Sequence, residues 1–103
     1  MSPDLPLHDH GRRVRALAGT LTRLGIALSL ADAEREQDQL VEQIEAVTAC
    51  VAEAEAEDLC DVRAKLVVLR HRLEEQLGGG MPSESLTVAL AASLLRDVER
   101  LAA

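Results

Sequence analysis

Three histidines and two cysteines are the side chains of this 103-residue sequence with the most evident capacity for chemistry. His8 and His10 stand two residues apart with Asp9 between them, a spacing at which two imidazoles and a carboxylate can chelate a metal ion. The cluster belongs to a segment with two prolines, which favours a mobile arm rather than a preformed site. We therefore interpret it as solvent-exposed, and we predict no metal site and no cofactor.

A second kind of chemistry for histidine is phosphotransfer. His10 and the amphipathic segment from Gly11 to Leu17 resemble the phospho-accepting region of histidine kinases and phosphotransfer bundles, in which a surface histidine attacks a phosphoryl group. The resemblance covers about a dozen residues and lacks the acidic, Asn or Lys-Gly neighbours of those families. His71 is a second candidate, although its position opposite the apolar side of its helix favours a solvated histidine. A phosphorelay element is the alternative function.

The remaining reactive side chains point to structure rather than catalysis. Cys50 and Cys60 stand among carboxylates, which favour the protonated, unreactive thiol. Two cysteines are too few for a disulfide framework, so we expect reduced thiols, with a disulfide across a hairpin as the alternative. Carboxylate pairs such as Glu53/Glu57 lie in highly charged stretches and are interpreted as solvated. With no phosphate loop and no serine nucleophile motif, we expect a protein that is not an enzyme.

Composition and charge exclude further classes of function. No Phe, Tyr or Trp occurs, so the chain lacks rings that stack on bases, sugars or flavins, and its net charge of −7 argues against binding to nucleic acid. Residues 32–61 carry eleven carboxylates against Arg35 alone, and Glu34, Asp38 and Glu42 repel one another on one helical face by about 0.2–0.5 kcal/mol a pair. We predict a basic helix of the same chain opposite them, with solvent or an external basic partner as the alternative.

The spacing of Leu, Ala and Val at three- and four-residue steps predicts an all-α protein. The first helix is expected from about Arg12 to Leu28, with Asp9 or His10 as its cap. The second is expected from about Leu30 to Ala56, after a serine cap at Ser29. Because no Gly or Pro separates them, one long bent helix over residues 12–56 stays an alternative.

A turn over residues 53–58 is predicted next, because a continuous helix would place Glu55 and Asp58 within an apolar stripe. Asp58 is then expected to cap a third helix, with Asp61 in its first turn. The apolar positions of that helix are Leu59, Val62, Leu66, Leu69, Leu73 and Leu77.

Glycines end this third helix. Gly78-Gly79-Gly80 is a clear stop, because one glycine can take the left-handed conformation that closes a helix, and Met81-Pro82 cannot prolong it. Ser83 or Ser85 is expected to cap the last helix, which carries no charge from Leu86 to Leu95.

These elements predict a small antiparallel bundle of three to four helices: a flexible arm over residues 1–9 and a single domain over residues 10–103. Two coiled-coil-like apolar stripes are expected to provide an interaction surface: Val14, Leu17, Leu21, Leu24, Leu28, Leu86, Leu90, Leu94, Val98 and Leu101. Val88 and Leu95 make the last helix apolar on two sides, which leaves surface for a second copy of the chain. The sequence therefore predicts a non-catalytic module for protein–protein interaction or oligomerisation, with a homodimer as the expected assembly and no small-molecule ligand.

The compartment is predicted from apolar runs. None approaches the ~20 residues that span a bilayer, so no membrane partner is expected. The short apolar stretch before Ala31-Asp32-Ala33 resembles a signal peptide, but Arg23 and two threonines interrupt it. We expect a cytoplasmic protein, with a secreted or periplasmic helical protein cleaved near Ala33 as the alternative. The Ala/Leu-rich composition is similar to that of small helical proteins from bacteria with high-GC genomes.

Overall fold

The computed structural model describes residues 6–80 and 83–102, with side chains from residue 13 onward. Within these ranges the chain forms four helices and no strand: α1 (Pro6–Leu30), α2 (Glu34–Glu53), α3 (Leu59–Leu77) and α4 (Glu84–Ala102). The predicted all-α bundle is confirmed.

The four helices form two packed hairpins. α1 packs on α2 and α3, and α4 packs on the same two helices, whereas α1 and α4 make no contact within the described ranges. Ion pairs from Glu45 to Arg72 and from Lys65 to Asp97 join neighbouring helices that run in opposite directions. The molecule measures 44 × 37 × 18 Å. A thickness of 18 Å corresponds to two layers of helices, with α1 and α2 in one layer and α3 and α4 in the other.

The first helix starts earlier than predicted. α1 begins at Pro6 rather than near Arg12, so residues 6–9 of the predicted arm are helical, while residues 1–5 lie outside the described part of the chain. Proline suits this position, because its missing N–H is one that no helix satisfies in its first turn.

Three residues, 31–33, separate α1 from α2, so residues 12–56 form two helices rather than one bent helix. Ala31 is buried at the break, where its N–H donates to the Leu28 carbonyl at 3.2 Å and its own carbonyl accepts from the Gln37 side chain at 2.8 Å. The predicted cap at Ser29 is wrong. The hydroxyl of Ser29 instead donates to the Ile26 carbonyl at 2.7 Å, as serine often does within a helix.

The turn between α2 and α3 is confirmed at residues 54–58. Asp58 caps α3 as predicted, because its carboxylate accepts a hydrogen bond from the Asp61 N–H at 2.9 Å. Ala54 and Ala56 are buried in this turn although both adjoin exposed glutamates. α2 therefore ends at Glu53, three residues before the predicted end.

The glycine stop is also confirmed. α3 ends at Leu77, Gly79 has a φ of +91°, and the Gly80 N–H donates back to the Glu75 carbonyl at 2.7 Å. Ser83 precedes α4, and its hydroxyl lies 3.4 Å from the N–H of Leu86. Residues 81 and 82 fall outside the described ranges.

The core is small and aliphatic. Val51 and Leu90 are fully buried at its centre together with Val68. A second cluster beneath the α2–α3 turn consists of Ala56, Val62 and Leu94. α1 contributes a fully buried side chain and several half-buried ones: Val14, Leu17, Ala18 and Leu21.

One expectation about α3 is wrong. Of its six predicted apolar positions, Val62 is buried and Leu69 is half-buried, and the other four are exposed: Leu59, Leu66, Leu73 and Leu77. The helix is rotated so that Asp61, Lys65 and Arg72 face the interior instead. Interior polar contacts for these three groups make this rotation possible, because a buried charge is tolerated when it is paired.

Candidate interaction surfaces

Two polar clusters hold the layers together and fix how α3 is rotated. In the first, Lys65 is fully buried and donates to the carboxylate of Asp97 at 2.6 Å, to the Ser93 hydroxyl at 2.8 Å and to the Ala54 carbonyl. Asp97 in turn accepts from the Ala56 N–H at 3.3 Å. The ammonium group therefore ties α3 to α4 and to the turn after α2.

The second cluster lies about two turns along α3. Arg72 is buried and donates to Glu45 at 2.6 Å, to the Thr87 hydroxyl at 2.9 Å and to the Ser83 carbonyl at 3.1 Å. Partial burial raises the pKa of Glu45, but the hydrogen bonds from Arg72 and the Ser83 N–H, with the Arg72 charge, outweigh burial and lower the pKa below its usual value of 4.5. One guanidinium thus joins α2, α3 and the start of α4.

Sequence reasoning missed both clusters. Asp61, Lys65, Val68 and Arg72 follow one another at steps of four, three and four, the same spacing that was used to recognise apolar seams. The signal was present in the sequence, but three of the four residues are charged. A search for charged residues at seam spacing would have found them.

Asp61 is also buried, but it belongs to neither polar cluster. One of its carboxylate oxygens accepts from the Glu57 N–H at 2.9 Å, and the other lies 3.1 Å from Nε of half-exposed Arg15 without hydrogen-bond geometry. The pair is an electrostatic contact between α1 and α3. We interpret Asp61 as structural, because it lies at the capped start of α3 among backbone groups.

The predicted stripes are used largely inside the chain. On α1, Val14 is buried and Leu17, Leu21, Leu24 and Leu28 are half-buried. On α4, the inner residues are buried or half-buried and the last two of the stripe are exposed: Leu86, Leu90 and Leu94, then Val98 and Leu101. The prediction that α4 is apolar on two sides is confirmed, because Val88 and Leu95 are exposed opposite the core.

An apolar surface covers the outside of the α3–α4 layer. We call it the outer face, and it consists of Leu59, Leu66, Leu73 and Leu77 on α3 with Val88, Leu95 and Val98 on α4. A rotation of about 100° a residue places the four leucines of α3 within one narrow stripe beside Val62, and Val98 and Leu95 beside Leu94. Because Val62 packs against Leu94, the two stripes lie next to each other and point away from the α1–α2 layer.

A groove lies between α1, α2 and α3, with a volume of about 640 Å³. Its aliphatic walls include Leu21, Ile26, Leu28, Val41, Ile44 and Val67. Ile26, Val41 and Val67 are about half-exposed or more there. The groove is thus a second apolar surface, on a different side of α3 from the outer face.

Exposed acidic residues of α2 lie beside this groove rather than in its lining. Glu34, Asp38 and Glu42, which we call the acidic row, make no ion pair with any side chain that the structure describes. The prediction of a basic helix opposite the acidic segment therefore holds at Glu45, which pairs with Arg72, and at Asp61, which lies beside Arg15, but not at the row. The alternatives of solvent or an external basic partner apply to the row itself.

The histidine and cysteine side chains that the structure describes do not lie together. His71 is exposed, with its Nε2 3.7 Å from a carboxylate oxygen of Glu75, as expected of a surface histidine. Cys50 is half-buried and Cys60 exposed, and both are free thiols. Across residues whose side chains are described, no three His, Cys, Asp or Glu residues gather into a potential metal site. The side chains of His8 and His10 lie outside the described residues.

Comparisons of the chain with protein-family models, with curated proteins and with solved structures find no match. No helix within the described ranges has both the length and the apolar character needed to cross a membrane. The chemistry of the surfaces is therefore the basis for assigning a function.

Proposed function

We propose that this protein is a non-catalytic oligomerisation module that forms a homodimer through its outer face. The observation that carries the proposal is the contrast between the outside of the α3–α4 layer and the solvent side of α2. Four leucines on α3 and three apolar residues on α4 are exposed on one side, and the solvent side of α2 is almost wholly polar. A contiguous apolar surface of this kind marks an interaction site in a folded protein.

The outer face has the size that a stable dimer needs. A standard interface removes about 800 Å² from each partner, and seven exposed Leu and Val side chains supply area of that order. The aliphatic composition also fits packing of helix against helix, because no aromatic side chain is present in the chain to act as an anchor.

Charges at the two edges of the outer face select one arrangement of the copies. Arg63 lies at the α3 edge and Glu99 at the α4 edge, and neither makes an ion pair with a described side chain. A twofold axis in the interface and parallel to the helices lays α3 of each copy across α4 of the other, in antiparallel orientation. Arg63 then faces Glu99 of the partner subunit, whereas an axis perpendicular to the helices lays α3 on α3 and α4 on α4 and does not form this pair.

Light scattering after size exclusion, at a series of protein concentrations, tests the dimer. We expect twice the mass of one chain for the unaltered protein and one chain mass for L66E/L95E. The matched control is L30E, which changes a leucine that is more exposed than Leu66 or Leu95 but lies on α1, away from the outer face. A protein that stays monomeric at all concentrations, or an L66E/L95E variant that still dimerises, overturns the proposal.

A charge exchange tests the arrangement. R63E and E99R should each weaken the dimer about tenfold, and R63E/E99R should restore it, because the exchanged pair has the same attraction. Dimerisation that depends on Leu66 and Leu95 but is not restored in R63E/E99R would contradict the parallel axis. The two free thiols support a reducing compartment, the cytoplasm, as the place where this dimer forms.

A further inference from the structure

The groove between α1, α2 and α3 is not used by the proposed dimer. On α3 its wall residues, Val67 and His71, lie on the side of the helix away from the leucines of the outer face. Dimerisation would therefore leave open a groove with exposed aliphatic walls. Its volume of about 640 Å³ extends along several helical turns of α1.

The α1 wall of the groove contains a row of small residues between its larger aliphatic ones. Ala18, Thr22, Gly25 and Ser29 form this row, at steps of four, three and four along the helix. A Cβ added at Gly25 would meet no atom within 4 Å, so no neighbour within the described part of the chain requires a glycine there. Small side chains at this spacing allow the backbone of another helix to approach closely.

Carboxylates flank the α2 wall of the groove. Of the α2 residues that line it, Glu45 alone is charged, and Asp38 and Glu42 stand three residues before Val41 and Glu45, at the solvent side of this wall. Glu75 adds a carboxylate from α3. Arg72 is the only permanently cationic side chain that lines the groove, and its charge is already matched by Glu45.

We propose that this groove binds a basic amphipathic helix from another protein, with aliphatic residues on its apolar side. The aliphatic side would cover Ile26, Val41 and Val67. The lysines or arginines beside it would pair with the acidic row, whose mutual repulsion has no compensation among the described side chains. This inference goes beyond the proposed dimer, uses a separate surface, and can be true whether or not the dimer forms.

The occupant is a different protein rather than a second copy. α3 of another copy does present leucines beside Arg63 and Arg70, so it has the required chemistry. Its docking in the groove would join unlike surfaces, however, and such a contact repeats into rings or open filaments of the chain rather than forming a twofold dimer. Concentration-dependent filaments that L66E/L95E abolishes would reveal that arrangement and overturn the proposal.

The test measures fluorescence anisotropy of a labelled synthetic peptide of about 18 residues, five helical turns, built from leucine and lysine at amphipathic spacing. We expect saturable binding at micromolar concentration that weakens as salt is raised. Two control peptides are used: one with glutamate in place of lysine, and one with the same leucines and lysines in scrambled order. Both are expected to bind at least tenfold more weakly.

Matched protein variants locate the site. I26S/V67S should weaken peptide binding about tenfold, while L30S, which removes an exposed leucine of α1 outside the groove, should leave it unchanged. D38K/E42K should also weaken it about tenfold. The control E36K/E53K makes the same change in net charge elsewhere on α2 and should weaken it less than threefold.

Three results would overturn the proposal. They are absence of binding by the basic peptide, equal binding of the scrambled peptide, or equal effects of the groove variants and their controls. All the proteins are exposed-site variants, and far-UV circular dichroism verifies their fold before titration. The light-scattering test of the dimer changes Leu66 and Leu95, which do not line the groove. The dimer proposal and the groove proposal can therefore fail independently.

Discussion

Lys65 shows how a single buried charge can decide which side of a helix faces the core. Its side chain is fully buried, and its ammonium group has three oxygen partners from α3's neighbours: Ala54, Ser93 and Asp97. An ammonium with three donors is satisfied by this set. Rotating α3 to bury its leucines instead would move Lys65 out of this site and leave the buried Asp97 with only the partly exposed Arg100 as a cation.

Replacing Lys65 with methionine should therefore destabilise the protein by up to about 3–5 kcal/mol, because the buried Asp97 carboxylate would lose its nearest cation and keep only the partly exposed Arg100 at 3.3 Å. K65M/D97N should recover part of this loss, since it removes the carboxylate that has lost its buried partner. Urea unfolding measures both. The control R70M removes an exposed cation of the same helix, and its ion pair with Glu74 is worth less than about 1 kcal/mol. A K65M protein no less stable than R70M would contradict the role given to Lys65.

The lowered pKa of Glu45 predicts a dependence of stability on pH. A carboxyl whose pKa is lower in the folded than in the unfolded state stabilises the fold above the unfolded pKa, and this contribution is lost as pH falls through the folded pKa. We expect the contribution of Glu45 to be complete near neutral pH and to disappear on acidification below its usual value of 4.5. E45Q should be less stable than the unaltered protein at neutral pH and should lose less on acidification. Urea unfolding across this range checks it, and parallel stability curves for the two proteins would refute it.

At the scale of the helices, Gly79 and Gly25 differ in whether the fold requires a glycine. Gly79 ends α3 with a φ of +91°, a conformation that side chains with a Cβ rarely adopt. Gly25 lies within α1, where a Cβ would meet nothing within 4 Å. One glycine is required by the fold, and the other is not.

Alanine should therefore change stability in opposite directions at these two positions. G79A should destabilise the protein by about 1–2 kcal/mol through backbone strain. G25A should stabilise it by about 0.5–1 kcal/mol, because alanine is the better helix former and the space is open. Thermal or urea unfolding of the two variants measures the difference. A loss of stability in G25A would show that the α1 wall of the groove is closed in solution.

At the scale of the whole molecule, the two layers expose different kinds of surface. The α1–α2 layer exposes the acidic row, and the α3–α4 layer exposes the outer face. The interior polar clusters hold charges that most small bundles keep at the surface, and apolar residues of α3 are exposed instead.

A dimer that buries the outer face should be more stable at higher concentration. Mass action predicts that the melting temperature of the unaltered protein rises as its concentration is raised over a hundredfold range. At 100 times the dissociation constant, association stabilises the folded protein by about 2.7 kcal/mol. The L66E/L95E variant should melt at one temperature throughout. Differential scanning calorimetry at several concentrations measures both, and a concentration-independent unaltered protein would argue against the dimer.

Local features of the sequence were sufficient for the existence of the helices, for both ends of α3 and for the start of α4, but not for the start of α1 or the ends of α2. The cap at Asp58, the stop at Gly79 and the two-sided apolar pattern of α4 depend on neighbouring residues only, and the structure confirms all three. The expected cap at Ser29 failed, because serine has a competing hydrogen bond to the carbonyl of Ile26 three residues earlier. Propensity rules do not rank these two local bonds.

The sequence by itself determined that the chain is all-helical, aliphatic and acidic, because periodicity and composition need no knowledge of neighbours. Only the tertiary structure decided which side of α3 is inside, and hence which of its residues are exposed. The leucines of α3 satisfied every criterion for a core stripe, yet Lys65 and Arg72 occupy the interior. The physical reason is that a buried charge is stable only beside its counter-charge, and Asp97 and Glu45 are distant in sequence and meet these residues only in the folded molecule.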